Sequence, residues 1–351
     1  MNSGAEAVET AVKLCRRWGH RVKGLPTDEG VIISACGSFH GRTLAAISMS
    51  SDAQSTDLHG PLATGFQLVP YGDVAALRRA LGALNGKAVA FIVEPIQGEG
   101  GVVVPPQGYL AACHDACCEH NALLVADEVQ TGLGRTGRLL ASEWDGARPD
   151  MVIMGKALGG GVFPISAVVA DDEVLSTVEP GVHGSTFGGN PLACAVSIAA
   201  LDVLVDEDLI RRSERLGLLF DELLTPLTAE AADGRKRLVV EQRGRGLLRA
   251  IELRIDALES IGTDANQICY ELKERGILAK ATRESTIRFA PPLTIEESQL
   301  RKGASEVVEL VLEYEARCIA ALQGASKAEA QLDEPVAPCH RGSACCQHAM
   351  G

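Results

Sequence analysis

What most constrains this chain is a series of short, unbroken aliphatic segments set between stretches of helical periodicity. Residues 31–35, 89–93, 122–126, 151–154 and 165–170 are almost wholly apolar. Strands buried on both faces read this way, because neither side turns to water. Residues 3–18, 73–84 and 108–120 instead space their apolar positions as helices do. Strand, helix and strand in succession specify an α/β fold, a mostly parallel sheet with helices on both faces. A long helical region is expected over 191–227. Beyond it come strands over 238–242, 247–253 and 286–289, with helices over 264–275 and 295–322. The organisation this implies is a large α/β domain over 1–205, then a helical connection and a smaller C-terminal α+β domain over 206–323. A disordered tail is expected over 324–351, where the apolar periodicity is lost.

Charge and composition exclude several classes of partner. Acidic residues outnumber basic ones, 46 to 33, for a net charge of -13, the wrong sign for general binding to nucleic-acid phosphates. No apolar run approaches the ~18 residues of a bilayer span; the best, over 194–205, is broken by Ser197 and Asp202. The 11 cysteines lack the dense, regular spacing of a disulfide framework. Met1 is followed at once by polar and small residues, so no secretory signal is expected. The default compartment is reducing and cytoplasmic, with the mitochondrial matrix open should a transit segment precede Met1. Ser3 and Glu6 have capping-box spacing, and Val8, Val12, Cys15 and Trp18 mark one apolar face. A buried helix is thus expected almost at the first residue, as if the chain began inside a fold.

Two strand ends carry the chemistry. Residues 123–126 deliver Asp127 and Glu128 at a strand's C-terminal end, where ligands bind in open α/β sheets. Residues 152–154 deliver Lys156 into the glycines Gly159, Gly160 and Gly161. Taken singly, each has a plain reading as a solvated strand end or a surface lysine. Together they suit one cofactor, because a lysine amine can form a Schiff base with an aldehyde while a carboxylate keeps a pyridinium nitrogen protonated. Pyridoxal 5'-phosphate needs both, and an anion site as well. The start of the Ser3 helix offers one through free backbone N–H groups and the dipole's positive end, with Gly4 permitting close approach. Other motifs carry less. Gly132, Gly134 and Gly137 have dinucleotide-fingerprint spacing, but they stand away from the strand and no clear helix follows. Cys113 and Cys117, with His114 and His120, fit buried helical thiols better than a metal face. Cys339, His340, Cys345, Cys346 and His348 are irregularly spaced, and no metal is expected.

These residues fall within motifs that resemble the class III pyridoxal-phosphate aminotransferases, and among them the ornithine aminotransferases. The motifs are Asn2-Ser3-Gly4-Ala5-Glu6-Ala7, Phe39-His40-Gly41-Arg42-Thr43, Glu94-Pro95-Ile96-Gln97-Gly98-Glu99, Asp127-Glu128-Val129-Gln130, Gly155-Lys156, residues 184–191 (GSTFGGNP) and residues 287–292 (IRFAPP). They occur in family order over residues 1 to about 320. The resemblance implies fold-type I and a role for each matching position. Lys156 would bind the cofactor covalently and shuttle a proton, and Asp127 would pair with the pyridinium nitrogen. Gln130 would hydrogen-bond the phenolic oxygen, and Phe39 would stack on the ring. Ser3, Gly4 and Ala5 would cradle the phosphate, joined by Ser185 and by Thr186 reaching across from a second subunit, which implies a homodimer.

The implied reaction is ping-pong transfer of the δ-amino group of L-ornithine to 2-oxoglutarate, giving glutamate 5-semialdehyde and glutamate. Arg42 would hold ornithine's α-carboxylate, and Arg288 the 2-oxoglutarate carboxylate beside the keto group. Glu99 would mask Arg288 in the first half-reaction and release it in the second. The segment preceding the phosphate loop in the family has no counterpart here. It normally supplies residues that separate ornithine from its acetylated relatives. Acetylornithine or another ω-amino substrate therefore stays open, as does a catalytically silent form.

Overall fold

The computed structural model describes residues 1–230 and 234–332, with side chains to residue 323. Its larger sheet comprises β1 (Val31–Ala35), β2 (Phe66–Val69), β3 (Ala88–Val93), β4 (Leu123–Asp127), β5 (Met151–Met154) and β6 (Ala167–Ala170), in the order β2-β1-β3-β4-β5-β6. All neighbours are parallel except β6, which runs antiparallel to β5. Alternate side chains of a strand point to opposite faces, and β3 divides accordingly. Ala90 and Ile92 pack with α1 (Gly4–Arg21) through Val8, Ala11, Val12, Cys15 and Trp18. Phe91 and Val93 pack on the other face with α2 (Val74–Ala83) and α3 (Tyr109–Glu119) through Leu77, Leu81, Tyr109 and Leu110. Cys113 and Cys117 are buried in that second layer. Each fully buried aliphatic or aromatic side chain contributes roughly 1.5–3 kcal/mol.

Helix starts follow local chemistry. Ser3 accepts a hydrogen bond from the N–H of Glu6, and the Glu6 carboxylate accepts from the N–H groups of Ser3 and Asn2. Asp73 caps α2 through the N–H of Ala76. Asn190 caps α4 (Pro191–Asp206) through the N–H of Ala193, with Pro191 in the first turn, where its missing N–H costs nothing. The long helical region expected over 191–227 is interrupted after α4, because Asp208 adopts φ +48° and redirects the chain into α5 (Leu209–Leu224).

The second sheet comprises β7 (Val239–Arg245), β8 (Leu248–Leu253), β9 (Lys280–Thr282) and β10 (Thr286–Phe289), all antiparallel, in the order β7-β8-β10-β9. Its core joins Leu216 and Phe220 of α5, Ile268 and Leu272 of α6 (Ala265–Glu274), and Val307, Leu310 and Tyr314 of α7 (Glu297–Leu332). Strands β2 and β9 are absent from the sequence reading. The first is a half-exposed edge strand, and the second has no aliphatic run and exists through pairing with β10. Helix α7 continues past residue 323, where the sequence reading places the tail, because 325–331 are mostly the strong helix formers Ala, Lys, Glu and Gln. Residues 333–351, with the Cys339–His348 motif, lie outside the described residues. Among the described residues no helix is long and apolar enough to cross a membrane.

The two sheets are joined at a tight crossing. The Arg135 guanidinium donates to the carbonyls of Leu247 (3.0 Å) and Pro291 (2.6 Å), and the Leu247 N–H returns a bond to the Arg135 carbonyl. The loop of Gly134 and Gly137 supports this crossing from below, packed on Leu204, Ile210 and Glu214. At Gly217 of α5 the helix backbone meets the β7–β8 turn directly, where a Cβ would stand only 2.3 Å from the Gly246 carbonyl oxygen. Gly217→Ala should therefore destabilise the fold by about 1–3 kcal/mol, the cost of overpacking against backbone. A Tm equal to wild type in thermal denaturation would contradict this contact.

Candidate active site

Strands β4 and β5 are parallel neighbours, with Asp127 opposite Ile153. Their C-terminal ends therefore deliver Asp127 and Lys156 to the same edge of the sheet. Asp127 is buried, and its Oδ2 lies 2.7 Å from His40 Nδ1, while Oδ1 accepts from the Val129 N–H at 3.1 Å. His40 Nε2 in turn faces the Ser34 hydroxyl at 3.2 Å. Burial lowers the pKa of His40, but the Asp127 hydrogen bond and charge, with the charge of Glu94, overcome it, so the net shift is upward. Glu94 follows β3 and is also buried. Its carboxylate accepts from the Phe39 N–H (2.8 Å) and the Gly98 N–H (3.0 Å), tying two loops together. Burial pushes its pKa up to about 7, with His40 opposing and Asp127 adding to the rise.

Lys156 comes directly after Gly155 at the end of β5 and adopts φ +40°, the left-handed region that non-glycine residues rarely enter. Its side chain reaches the surface, yet the surrounding protein desolvates the amine and lowers its pKa, against the raising effect of Asp127, Glu99 and Glu94. The start of α1 closes on the same point. A Cβ at Gly4 would come within 2.9 Å of Val129 Cγ1, and one at Gly155 within 3.6 Å of Gly4 Cα. With the Ser3 N–H taken by Glu6, the N–H groups of Gly4 and Ala5 are first-turn donors without an intrahelical acceptor.

The second sheet contributes cations from across the cleft. Arg288 Nη1 donates to Glu99 Oε1 at 2.9 Å and to Gln130 Oε1 at 3.3 Å, and Lys280 Nζ donates to Glu99 Oε2 at 2.7 Å. Arg288 and Lys280 are register partners on β10 and β9, which places both before one carboxylate. Burial alone would raise the pKa of Glu99, but the Lys280 hydrogen bond and the Arg288 charge bring it below its ordinary value. Gln130 Nε2 is buried and has no partner among the described residues. Phe39, Arg42, Glu99 and Lys280 line a cleft of about 1080 Å³, and the Arg42 guanidinium lies 5.6 Å from the centre of the Phe39 ring.

Of the residues singled out from sequence, Ser3, Gly4, Ala5, Phe39, Arg42, Glu99, Asp127, Gln130, Lys156 and Arg288 thus fall around one region where the two sheets meet. Ser185 and Thr186 lie on an exposed loop and bond to none of these residues; Ser185 Oγ accepts from the Gly188 N–H (2.9 Å), and Gly188 lies against Met1. The sequence reading assigned no role to His40, Glu94 or Lys280. His40 and Glu94 sit inside the family-like motifs, which is the one signal that could have pointed to them; their burial beside Asp127 is seen only in the structure. Lys280 carried none, because its place depends on a hairpin.

An aspartate and a strained lysine at adjacent strand ends, under a helix N-terminus and facing an arginine from a second sheet, suit an aldehyde cofactor with an anionic tail and a carboxylate-bearing substrate. The chain belongs to the class-III aminotransferase family, whose sequence model matches residues 1–311. It is 50% identical over 315 residues to the mitochondrial ornithine aminotransferase of Arabidopsis thaliana, covering 90% of this chain and 65% of that protein. It is 52% identical over 300 residues to ornithine aminotransferase 2 of Staphylococcus aureus, covering 86% and 71%. The chain thus spans about two thirds of the length of these curated relatives, and slightly less for the plant protein. Among solved structures, the ornithine aminotransferase from Toxoplasma gondii, with PLP partially occupying its active site, superposes with a TM-score of 0.85 at 46% identity, over 91% of this chain and 73% of that one.

The buried Asp127–His40 contact has a titratable signature. Burial depresses an imidazole while Asp127 and Glu94 raise it, so in Asp127→Asn the pKa of His40 should fall from its raised value, with the Glu94 charge still opposing burial. In the wild type, where the folded pKa is raised, the stability drawn from this contact is complete below about pH 6.5 and fades as the pH rises through the folded value. Imidazole NMR titration of both proteins reads the difference; an unchanged His40 in the variant would refute the pairing.

Proposed function

We propose that this chain catalyses transfer of the δ-amino group of L-ornithine to 2-oxoglutarate, giving glutamate 5-semialdehyde and glutamate in two successive half-reactions. The observation that carries this reading is the Arg288–Glu99 ion pair beside the lysine strand end. An enzyme that reacts a distal amine in one half-reaction and a 2-oxo acid in the other needs an arginine that can be hidden and then exposed. Identity of about half the aligned residues to ornithine aminotransferases supports the same choice.

The residues fit pyridoxal 5'-phosphate on their own chemistry. The unpartnered Gln130 Nε2 is a buried donor suited to a phenolate oxygen, and the open N–H groups of Gly4 and Ala5 suit a phosphate. When bound, the cofactor supplies an aldehyde and an electron-withdrawing ring. Asp127, held by His40, would keep a proton on the ring nitrogen, and Phe39 would cover the ring face. Ser3 orients the phosphate loop through its capping box. A lowered Lys156 pKa leaves more of its amine neutral, as needed to bind an aldehyde and to carry a proton to or from the substrate carbon.

Substrate choice follows from charge. Arg42 would take the α-carboxylate of ornithine while Glu99 occupies Arg288. For 2-oxoglutarate, Arg288 would take the carboxylate beside the keto group and Arg42 the far one. The active unit is proposed to be a homodimer, with Ser185 and Thr186 completing the phosphate site, Thr186 from across the interface. Helix α4, which follows that loop, supports this by leaving Leu192, Ile198, Leu201 and Val205 exposed, apolar surface of the kind a partner covers. The division at 205 and 323 into large and small domains is proposed on the two separate sheets and their cores. Among the described residues eight cysteines are paired with no other cysteine, in keeping with a reducing compartment, cytoplasm by default.

With added pyridoxal phosphate, purified protein should show a visible band that ornithine bleaches and 2-oxoglutarate restores. Faster bleaching by N-acetylornithine would reassign the substrate, and no cofactor binding would leave a silent protein. Lys156→Ala should reduce turnover by orders of magnitude, as loss of a nucleophile does; activity near wild type would remove Lys156 from its role. Glu99→Ala should cut discrimination of ornithine against glutamate as donor by about 10–100-fold, the worth of a charged hydrogen bond. An unchanged donor preference in steady-state kinetics would refute the mask.

A further inference from the structure

Glu99 is held by two cations through separate oxygens, Arg288 at Oε1 and Lys280 at Oε2. A mask needs only the first contact. The second matters at the moment of release. Glu99 is only a quarter exposed, at 26% of its side chain, and Arg288 at 14%. A carboxylate stripped of its partner in so desolvated a place would strongly resist leaving. Lys280 differs from Arg288 in both respects that matter: its side chain is 59% exposed, and its ammonium sits on a flexible stem that can follow a moving partner. Of the other cations nearby, Lys156 feels the Glu99 charge but makes no hydrogen bond to it among the described residues. Arg283 donates its Nε–H to the Gly100 carbonyl at 3.0 Å, and Arg42 lies over Phe39.

We propose that Lys280 is a positioning residue that keeps Glu99 paired when an incoming dicarboxylate takes Arg288, and so lowers the cost of unmasking. This rests on the exchange of Glu99 for substrate proposed above. The consequence is one-sided. Ornithine meets the masked state that Arg288 alone can maintain, whereas 2-oxoglutarate must open it. Without Lys280, Glu99 has only Arg288 to hold and should grip it harder.

The test compares wild type, Lys280→Met, Lys280→Arg, Glu99→Ala and the double variant Lys280→Met/Glu99→Ala. In separated half-reactions, the ratio of the 2-oxoglutarate KM to the ornithine KM should rise about tenfold in Lys280→Met, the scale of one lost charge-assisted contact, and return toward wild type in Lys280→Arg. A readout independent of turnover is calorimetric binding of glutarate, a dicarboxylate without amine or keto group. It should weaken by a similar factor in Lys280→Met, yet in the Glu99→Ala background the same substitution should change nothing. Equal changes in both half-reactions would overturn the proposal, since a structural role moves them together. A glutarate defect that persists without Glu99 would also overturn it, by showing that Lys280 contacts the dicarboxylate itself. Wild-type protein that binds glutarate but shows no transamination with either substrate would fail the reading above rather than this contact.

Discussion

Everything at this site depends on the parallel pairing of β4 with β5. Because the two strands run the same way and Asp127 stands opposite Ile153, their ends open on one side of the sheet, and the acid and the lysine arrive together. An antiparallel partner would have sent one of them to the far edge. The burial of Asp127 follows from the same arrangement, since β4 is covered by a helical layer on each face. Burial then dictates the company it keeps. A carboxylate so enclosed needs donors, and His40 and the Val129 N–H provide them.

A second theme is that the small sheet acts as an instrument panel for the large one. Arg288 and Lys280 belong to β10 and β9, strands that share no backbone bond with the larger sheet, yet their side chains close on Glu99. Such a contact has meaning only if the two parts are held in register, and the junction shows how that is done. Arg135 clamps two carbonyls of the second unit, and Gly217 lets α5 lie against the β7–β8 turn with no side chain between. These backbone contacts hold together the two parts from which Glu99 and Arg288 come.

The buried acids divide the labour by environment. Glu94 has two backbone donors and, among the described residues, no cation bonded to it, and burial drives its pKa to about 7. Glu99, less buried and bonded to two cations, is driven the other way. The two carboxylates stand within one motif, Glu94-Pro95-Ile96-Gln97-Gly98-Glu99. Turning the chain between them, at the bridge of Gln97 to Val103, is enough to place one in the protein interior and the other at the cleft. The first braces loops and the second faces the substrate.

By itself the amino-acid sequence determined the α/β class, the strands β1, β3, β4, β5, β6, β8 and β10 to within a residue or two, and the capping of α1. Each rests on local pattern: continuous aliphatic runs, helical spacing, a serine three residues before a glutamate. It also marked Asp127 and Lys156, because a strand that ends in a charged residue is visible in one dimension. Through the family resemblance it also singled out Glu99 and Arg288 as a pair, but other features were decided only by the tertiary structure. The edge strand β2 and the short β9 form through their neighbours' hydrogen bonds, not their own composition. His40 became the partner of Asp127 through a contact 87 positions apart in the chain, and Lys280 joined Glu99 across 181. Interactions of that span arise from strand order and from the crossing of two sheets, which no local periodicity encodes.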